Sequence, residues 1–154
     1  MPILHLIRGP VEGSPDARAE GRFAPRQHRE LLHYAGGSIM AHVLIVDSHA
    51  GVREQLVRLL EQAGHAATAV ATVSEAASML PTLAPDLLAT DAVLTDGSSA
   101  NLVQQARVLR TKTLMMSGNS DRIIEFEAAG QPYLSKPFQP DLFLKRVEEI
   151  VSTQ

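Results

Sequence analysis

The chain has no cysteine and no tryptophan, and aromatic residues make up only 4% of its 154 positions. Without cysteine there can be no disulfide, no thiolate zinc centre and no cysteine nucleophile. Charge of one sign is also missing: 14 Lys and Arg stand against 17 Asp and Glu, a formal net charge of -3. That balance offers no broad cationic surface for nucleic acid or for an anionic membrane. No apolar run is long enough to span a bilayer. The opening "MPILHLI" lacks the basic start, full apolar stretch and small-residue cleavage site of a secretion signal. These absences predict a cytoplasmic protein with neither nucleic-acid nor membrane partners. The length suits one domain with a substantial core.

What is present divides in two. Residues 1–39, including "RGPVEGSPDARAEGRFAPRQHRE", mix Gly, Pro, Arg and acids with no sustained period, and read as a flexible N-terminal extension. Met40 stands two residues before a clean strand, so "MAHVLIVD" is itself a candidate start of translation. A basic arm is the functional alternative, but Glu12, Asp16, Glu20 and Glu30 dilute its arginines. Residues 40–154 form the second part, the predicted folded domain.

In that domain short apolar runs alternate with amphipathic stretches, the pattern of a parallel sheet built from strand–helix units. "HVLIVD" is a continuous apolar strand of the kind buried on both faces. After it Val52, Leu56, Leu59, Leu60 and Ala63 recur at helical spacing, and Gly64 supplies a stop. "HAATAV" is a weaker strand, followed by Thr72 and Glu75 in capping-box spacing before Ala76, Met79 and Leu80. "LLAT" precedes a helix marked by Leu102, Ala106 and Leu109. "TLMMS" precedes a short helix near 121–129, and "PYL" precedes a final helix with Phe143, Val147, Ile150 and Val151. The expected fold is α/β: a doubly wound, five-stranded parallel sheet of flavodoxin-like (βα)5 type.

Open sheets of this type bind ligands outside the carboxyl ends of their strands. The residues there are Asp47 with Ser48, Asp91, Ser117 with Gly118, and Lys136. Each alone has an ordinary explanation: a strand-end Asp caps helices, a Ser before Gly makes turns, and Lys136 in "PYLSKPF" could be a solvated loop residue. Together, at matching points of the repeat, they suit acyl phosphate formation. Asp91 could attack phosphorus, but carboxylate and phosphoryl group are both anionic, so fixed positive charge is required. Mg2+ held by Asp47 and Asp91 with a backbone carbonyl would supply it through hard oxygen ligands. Lys136 would pair with phosphoryl oxygens, Ser117 would donate a hydrogen bond, and Gly118 would leave room.

The pieces "VLIVDS", "PDLLATDAVLTDG", "MMSG" and "YLSKPF", in this order, make residues 42–152 resemble the receiver domain of two-component response regulators. The resemblance implies that Asp91 accepts phosphate from a phosphohistidine on a histidine kinase or phosphotransfer protein. It implies that Ser117 and Lys136 sense the phosphate and that Tyr133 is a switch aromatic whose rotamer reports the state. It implies Mg2+ as cofactor, held by Asp47, Asp91 and the backbone carbonyl of Val93, and a cis peptide between Lys136 and Pro137. Its activity would be self-phosphorylation and self-dephosphorylation, not turnover of other substrates. A receiver with no output domain after Gln154 would act by switching a downstream protein partner or by relaying phosphate.

The chain departs from that family at several points. Ser48 stands where a second acid is usual, which removes a charge and a strong ligand from the metal position. Thr95 and Ser99 replace a common proline and glycine, predicting a less rigidly preset loop after Asp91. The stretch from Ser117 to Tyr133 is shorter by nearly one helical turn. His49 reads as an exposed loop residue beside the metal position, because hard cations prefer oxygen. His5, His28 and His33 show no paired metal spacing, Phe23 and Tyr34 have no assigned role, and Met115 and Met116 read as strand core. Two other functions remain open. A pseudo-receiver would dock without phosphate. A haloacid-dehalogenase-like phosphatase would need a second Asp two positions after Asp91, where this chain has Val93.

Overall fold

The computed structural model describes residues 40–153; the expectations for residues 1–39, among them His5, Phe23, His28, His33 and Tyr34, fall outside that range. In chain order the elements are β1 (His42–Val46), α1 (Ala50–Gln62), β2 (Ala66–Val70), α2 (Val73–Leu83), β3 (Leu87–Asp91), β4 (Val93–Leu94), β5 (Gly97–Ser98), α3 (Ala100–Val108), β6 (Lys112–Ser117), α4 (Ser120–Ala128), β7 (Tyr133–Ser135) and α5 (Pro140–Ser152). Five strands form one sheet in the order β2-β1-β3-β6-β7, with every neighbouring pair parallel. This is the doubly wound, flavodoxin-like arrangement expected from the alternating pattern.

Side chains of successive strand residues point to opposite faces, and the core divides accordingly. Val43 and Ile45 of β1 join Leu56 and Leu60 of α1 and Phe143 and Val147 of α5 on one face. Leu44 and Val46 join Ala76 and Leu80 of α2 and Leu102 and Ala106 of α3 on the other. The central strands β1 and β3 are buried along their whole length, which is why they read as unbroken apolar runs. Burying one such leucine stabilises the fold by roughly 2–3 kcal/mol. The edge strand β2 is covered only in part, matching its weaker sequence.

Local signals set the helix ends. Thr72 caps α2 by accepting from the Glu75 amide at 3.2 Å and donating to the Glu75 carboxylate at 3.0 Å. Asn119 accepts from the amides of Asp121 and Arg122 to start α4. Gly64 ends the α1 turn with φ +89°, a conformation that costs glycine little. Helix α4 differs from the rest in burying no residue completely. Its Phe126 leans on Tyr133 at a ring separation of 6.5 Å.

One element was not foreseen. Val93–Leu94 and Gly97–Ser98 pair antiparallel as a small ribbon after β3. At its tip the Asp96 carboxylate accepts from the amides of Val73 and Ser74 at 2.9 and 3.0 Å, capping α2 from a distant part of the chain. Ser99, buried, donates its hydroxyl to the Ala92 carbonyl at 3.2 Å. The loop after Asp91 is therefore held at its tip and at its base, which corrects the expectation of a less rigidly preset one. Hydrogen bonds from Asp96 and Ser99 replace the conformational restriction that proline would give.

Candidate acidic site at the strand ends

Winding reverses between β1 and β3, so the helices following these strands leave toward opposite faces and open a crevice at the carboxyl edge. Asp47 follows β1 and Asp91 ends β3. Ser117 ends β6 and Lys136 follows β7. The structure thus brings together the four strand-end residues singled out in the sequence. Lys136 Nζ lies 2.7 Å from Asp47 Oδ2 and 2.6 Å from Asp91 Oδ1, bridging both carboxylates. The Lys136–Pro137 peptide bond is cis. The Lys136 amide donates to the Ser117 carbonyl at 2.8 Å, which fixes the lysine backbone against β6.

The Asp47 side chain is fully buried, and its Oδ1 accepts from the His49 amide at 2.8 Å. The His49 ring is exposed, as expected of a loop residue, yet its Nδ1 also rests 3.3 Å from that oxygen. Asp91 Oδ1 is buried; its contact with Lys136 is ionic, with no directed hydrogen bond to that oxygen. Ser117 is buried and its Oγ accepts from the Asn119 amide at 3.1 Å. A cleft of about 300 Å³ opens over this end of the sheet, lined by Asp91, Val93, Ser117, Asn119, Arg122 and Lys136 among others. A Cβ added at Gly118 would meet the Lys136 carbonyl at 3.7 Å and its Cβ at 3.8 Å, ordinary contacts. Space alone does not require glycine there.

Burial and Lys136 act unequally on the two acids. Burial pushes Asp47 up, but the Lys136 hydrogen bond and charge and the His49 bonds outweigh it and hold the carboxyl below its usual value. Burial also pushes Asp91 up, the Asp47 charge adds to it, and Lys136 only partly compensates, leaving the carboxyl at about 6. Burial lowers Lys136 while its two acidic partners raise it, and the partners win. The crevice holds one firmly ionised acid, one easily protonated acid and a charged lysine.

The donor set suits a hard divalent cation. Ligand atoms of Asp47, Asp91 and His49 lie within 4.8 Å of one another. Two carboxylates favour magnesium, and the imidazole nitrogen adds little for that ion. Ser48 is half-buried beside Asp47 and offers only a neutral hydroxyl.

Some supporting groups carry no signal in the sequence. Arg53 Nη1 donates to the Asp47 carbonyl at 2.8 Å, and Asp96 anchors the ribbon that bears Val93. The Tyr133 hydroxyl donates to Glu127 Oε1 of α4 at 2.5 Å, which raises the phenol above its ordinary value. Tyr133 is thus tied to α4.

A (βα)5 fold with an acidic crevice at its switch point and a strand-end lysine across from it defines a narrow class. The description "Response regulator receiver domain" matches residues 43–148, and the chain belongs to that family, the receiver domains of two-component response regulators. Protein PetR of Rhodobacter capsulatus is 29% identical over 114 residues, covering 71% of this chain and 48% of that protein. The phosphate regulon transcriptional regulatory protein PhoB of Escherichia coli is 26% identical over 116 residues, 71% of this chain and 51% of that one. The chain spans about half the length of these curated relatives. Among solved structures, a response regulator from Chloroflexus aurantiacus has a TM-score of 0.67 at 29% identity, covering 74% of this chain and 99% of its own. The chemotaxis response regulator CheY4 of Vibrio cholerae has a TM-score of 0.65 at 25% identity, covering 72% and 98%. No helix among the described residues is long and apolar enough to cross a membrane.

Proposed function

We propose that Asp91 is the phosphoacceptor, taking a phosphoryl group from a phosphohistidine on a histidine kinase or phosphotransfer protein. The phosphorylated domain then switches a downstream protein partner or passes the phosphate onward. One observation carries this reading: Lys136 Nζ sits within 2.7 Å of both Asp47 and Asp91 and lines, with Asp91 and Ser117, the cleft over this end of the sheet. With its carboxyl at about 6, Asp91 is mostly ionised at pH 7 and available as a nucleophile. A carboxylate oxygen attacks phosphorus while Lys136 meets the charge of the phosphoryl oxygens and the Ser117 hydroxyl turns to donate to one of them. Asp47, Asp91 and the Val93 carbonyl, with the Ser48 hydroxyl nearby, would hold magnesium, which would supply neutralising positive charge in the same crevice. Tyr133, bonded to Glu127, carries the change to α4.

In this reading residues 40–154 are the receiver unit, residues 1–39 an extension of it, and the protein works in the cytoplasm as a signalling element. The test is incubation with a small phosphodonor and magnesium, followed by intact mass measurement. The parent should gain one phosphoryl group and the Asp91→Asn variant none; labelling of the variant would overturn the assignment. Ser48 favours a second reading, a phosphate-independent docking module. Under it the parent stays unlabelled even at saturating magnesium.

A further inference from the structure

Arg122 is a half-buried cation that the proposed chemistry leaves unused. It lines the cleft with Asp91 and Lys136, and it also lines an adjoining groove of about 280 Å³ between α3 and α4, with Val103, Glu125 and Phe126. The two spaces meet at Arg122 and Ala92. Among the described residues its guanidinium makes no ion pair or hydrogen bond, not even with Glu125 one turn further on; only its backbone amide is engaged, by Asn119. A cation in the first turn of a helix also opposes the helix dipole. Neither pairing nor helix stability explains this arginine.

Resting on Asp91 as acceptor, we infer that Arg122 binds the anionic leaving group of small acyl phosphate donors and makes the domain selective for them. In-line attack by the Asp91 carboxylate forms a carboxyl O–P bond as the donor's acyl O–P bond breaks, and a free carboxylate departs with the electron pair. No proton moves, and the total charge is unchanged. The departing oxygen lies across phosphorus from Asp91, where it needs a cation of its own. Lys136 already serves Asp47 and Asp91. Arg122 is the other cationic side chain lining the cleft. Its guanidinium can take a carboxylate through two parallel hydrogen bonds. Phosphoramidate makes no such demand, because its nitrogen leaves as neutral ammonia.

The experiment compares labelling rates with acetyl phosphate and with phosphoramidate, in magnesium, for the parent and for Arg122→Ala and Arg122→Lys. The ratio of the acetyl phosphate rate to the phosphoramidate rate should fall roughly tenfold in Arg122→Ala, about 1.4 kcal/mol of leaving-group stabilisation. Arg122→Lys should recover part of it. Added salt should depress the parent's ratio more than that of Arg122→Ala. A purely structural arginine would slow both donors together and leave the ratio in place. An unchanged ratio in Arg122→Ala, with phosphoramidate still labelling Asp91, overturns this inference alone; a parent labelled by neither donor overturns it together with the reading beneath it.

Discussion

Replacing Asp91 with asparagine should stabilise the protein. The carboxyl is moved from 3.8 to about 6, by burial first, with the Asp47 charge adding and Lys136 opposing. A raised carboxyl holds its proton more tightly folded than unfolded. Between about pH 4 and 6 the native state therefore binds more protons, and stability falls as pH rises through that window. Above it the full cost is present, at most about 3 kcal/mol for a displacement of this size. Asp91 keeps some contact with water, and screening brings the expected cost down to about half of that bound, ~1.5 kcal/mol. Asparagine keeps the shape and removes the charge, while Lys136 retains Asp47 as partner. In a domain of this size the gain corresponds to a rise in melting temperature of roughly 5 °C. Thermal unfolding in chelator from pH 4 to 8 reads it directly. The variant should lead at pH 7.5 and the difference should vanish toward pH 4. Magnesium, which needs the ionised carboxylate, should stabilise the parent more than the variant and narrow the gap. A variant less stable than the parent at pH 7.5, or a gain that persists unchanged at pH 4, refutes the reasoning.

Three further outcomes follow from the same geometry. Ser48→Asp should tighten magnesium binding and speed labelling of Asp91, and should cost stability in chelator, because three acids then crowd one crevice; titration calorimetry that finds no tighter binding would remove Ser48 from the metal position. Val93, half-exposed at the cleft, cannot orient water by hydrogen bonding. The phosphorylated parent should therefore decay more slowly than the phosphorylated Val93→Asn variant, and equal decay by mass spectrometry counts against this. The Asp96 carboxyl is held below its usual value by the Val73 and Ser74 amides, so its support for α2 is present above the unfolded value and lost as pH falls through the lower folded one. Asp96→Ala should lower the melting temperature at neutral pH, with the difference closing in acid.

The parallel sheet explains why so much of the site could be read from the chain. Buried parallel strands are continuous apolar runs, so the polar residues that close a run mark the carboxyl edge, and Asp47, Asp91, Ser117 and Lys136 stand at or one residue past those strand ends. Topology then brings the ends together. What the chain hides are contacts between segments with no common period. Asp96 reaches α2 across more than twenty residues, and Arg53 reaches back from the first turn of α1 to the Asp47 carbonyl. The sequence pattern points Lys136 at phosphate alone. In the structure it holds both carboxylates, because two buried anions so close together require a cation between them.

Helix α4 hides no residue fully from water, and its hold on the sheet rests on half-buried side chains such as Phe126 and on the Tyr133–Glu127 bond. An element with so little apolar anchorage belongs to the low end of a protein's local opening energies. For such an element a second arrangement lies within reach of a modest energetic bias. Inverting a 1:99 population to 99:1 takes about 5.5 kcal/mol of differential binding. The charge-assisted bonds that a phosphoryl group on Asp91 would form, each about 1.5–3 kcal/mol, would supply that order of energy. A fully anchored α4, packed as α1 and α5 are, would demand far more and would stay where it is whatever the state of the crevice.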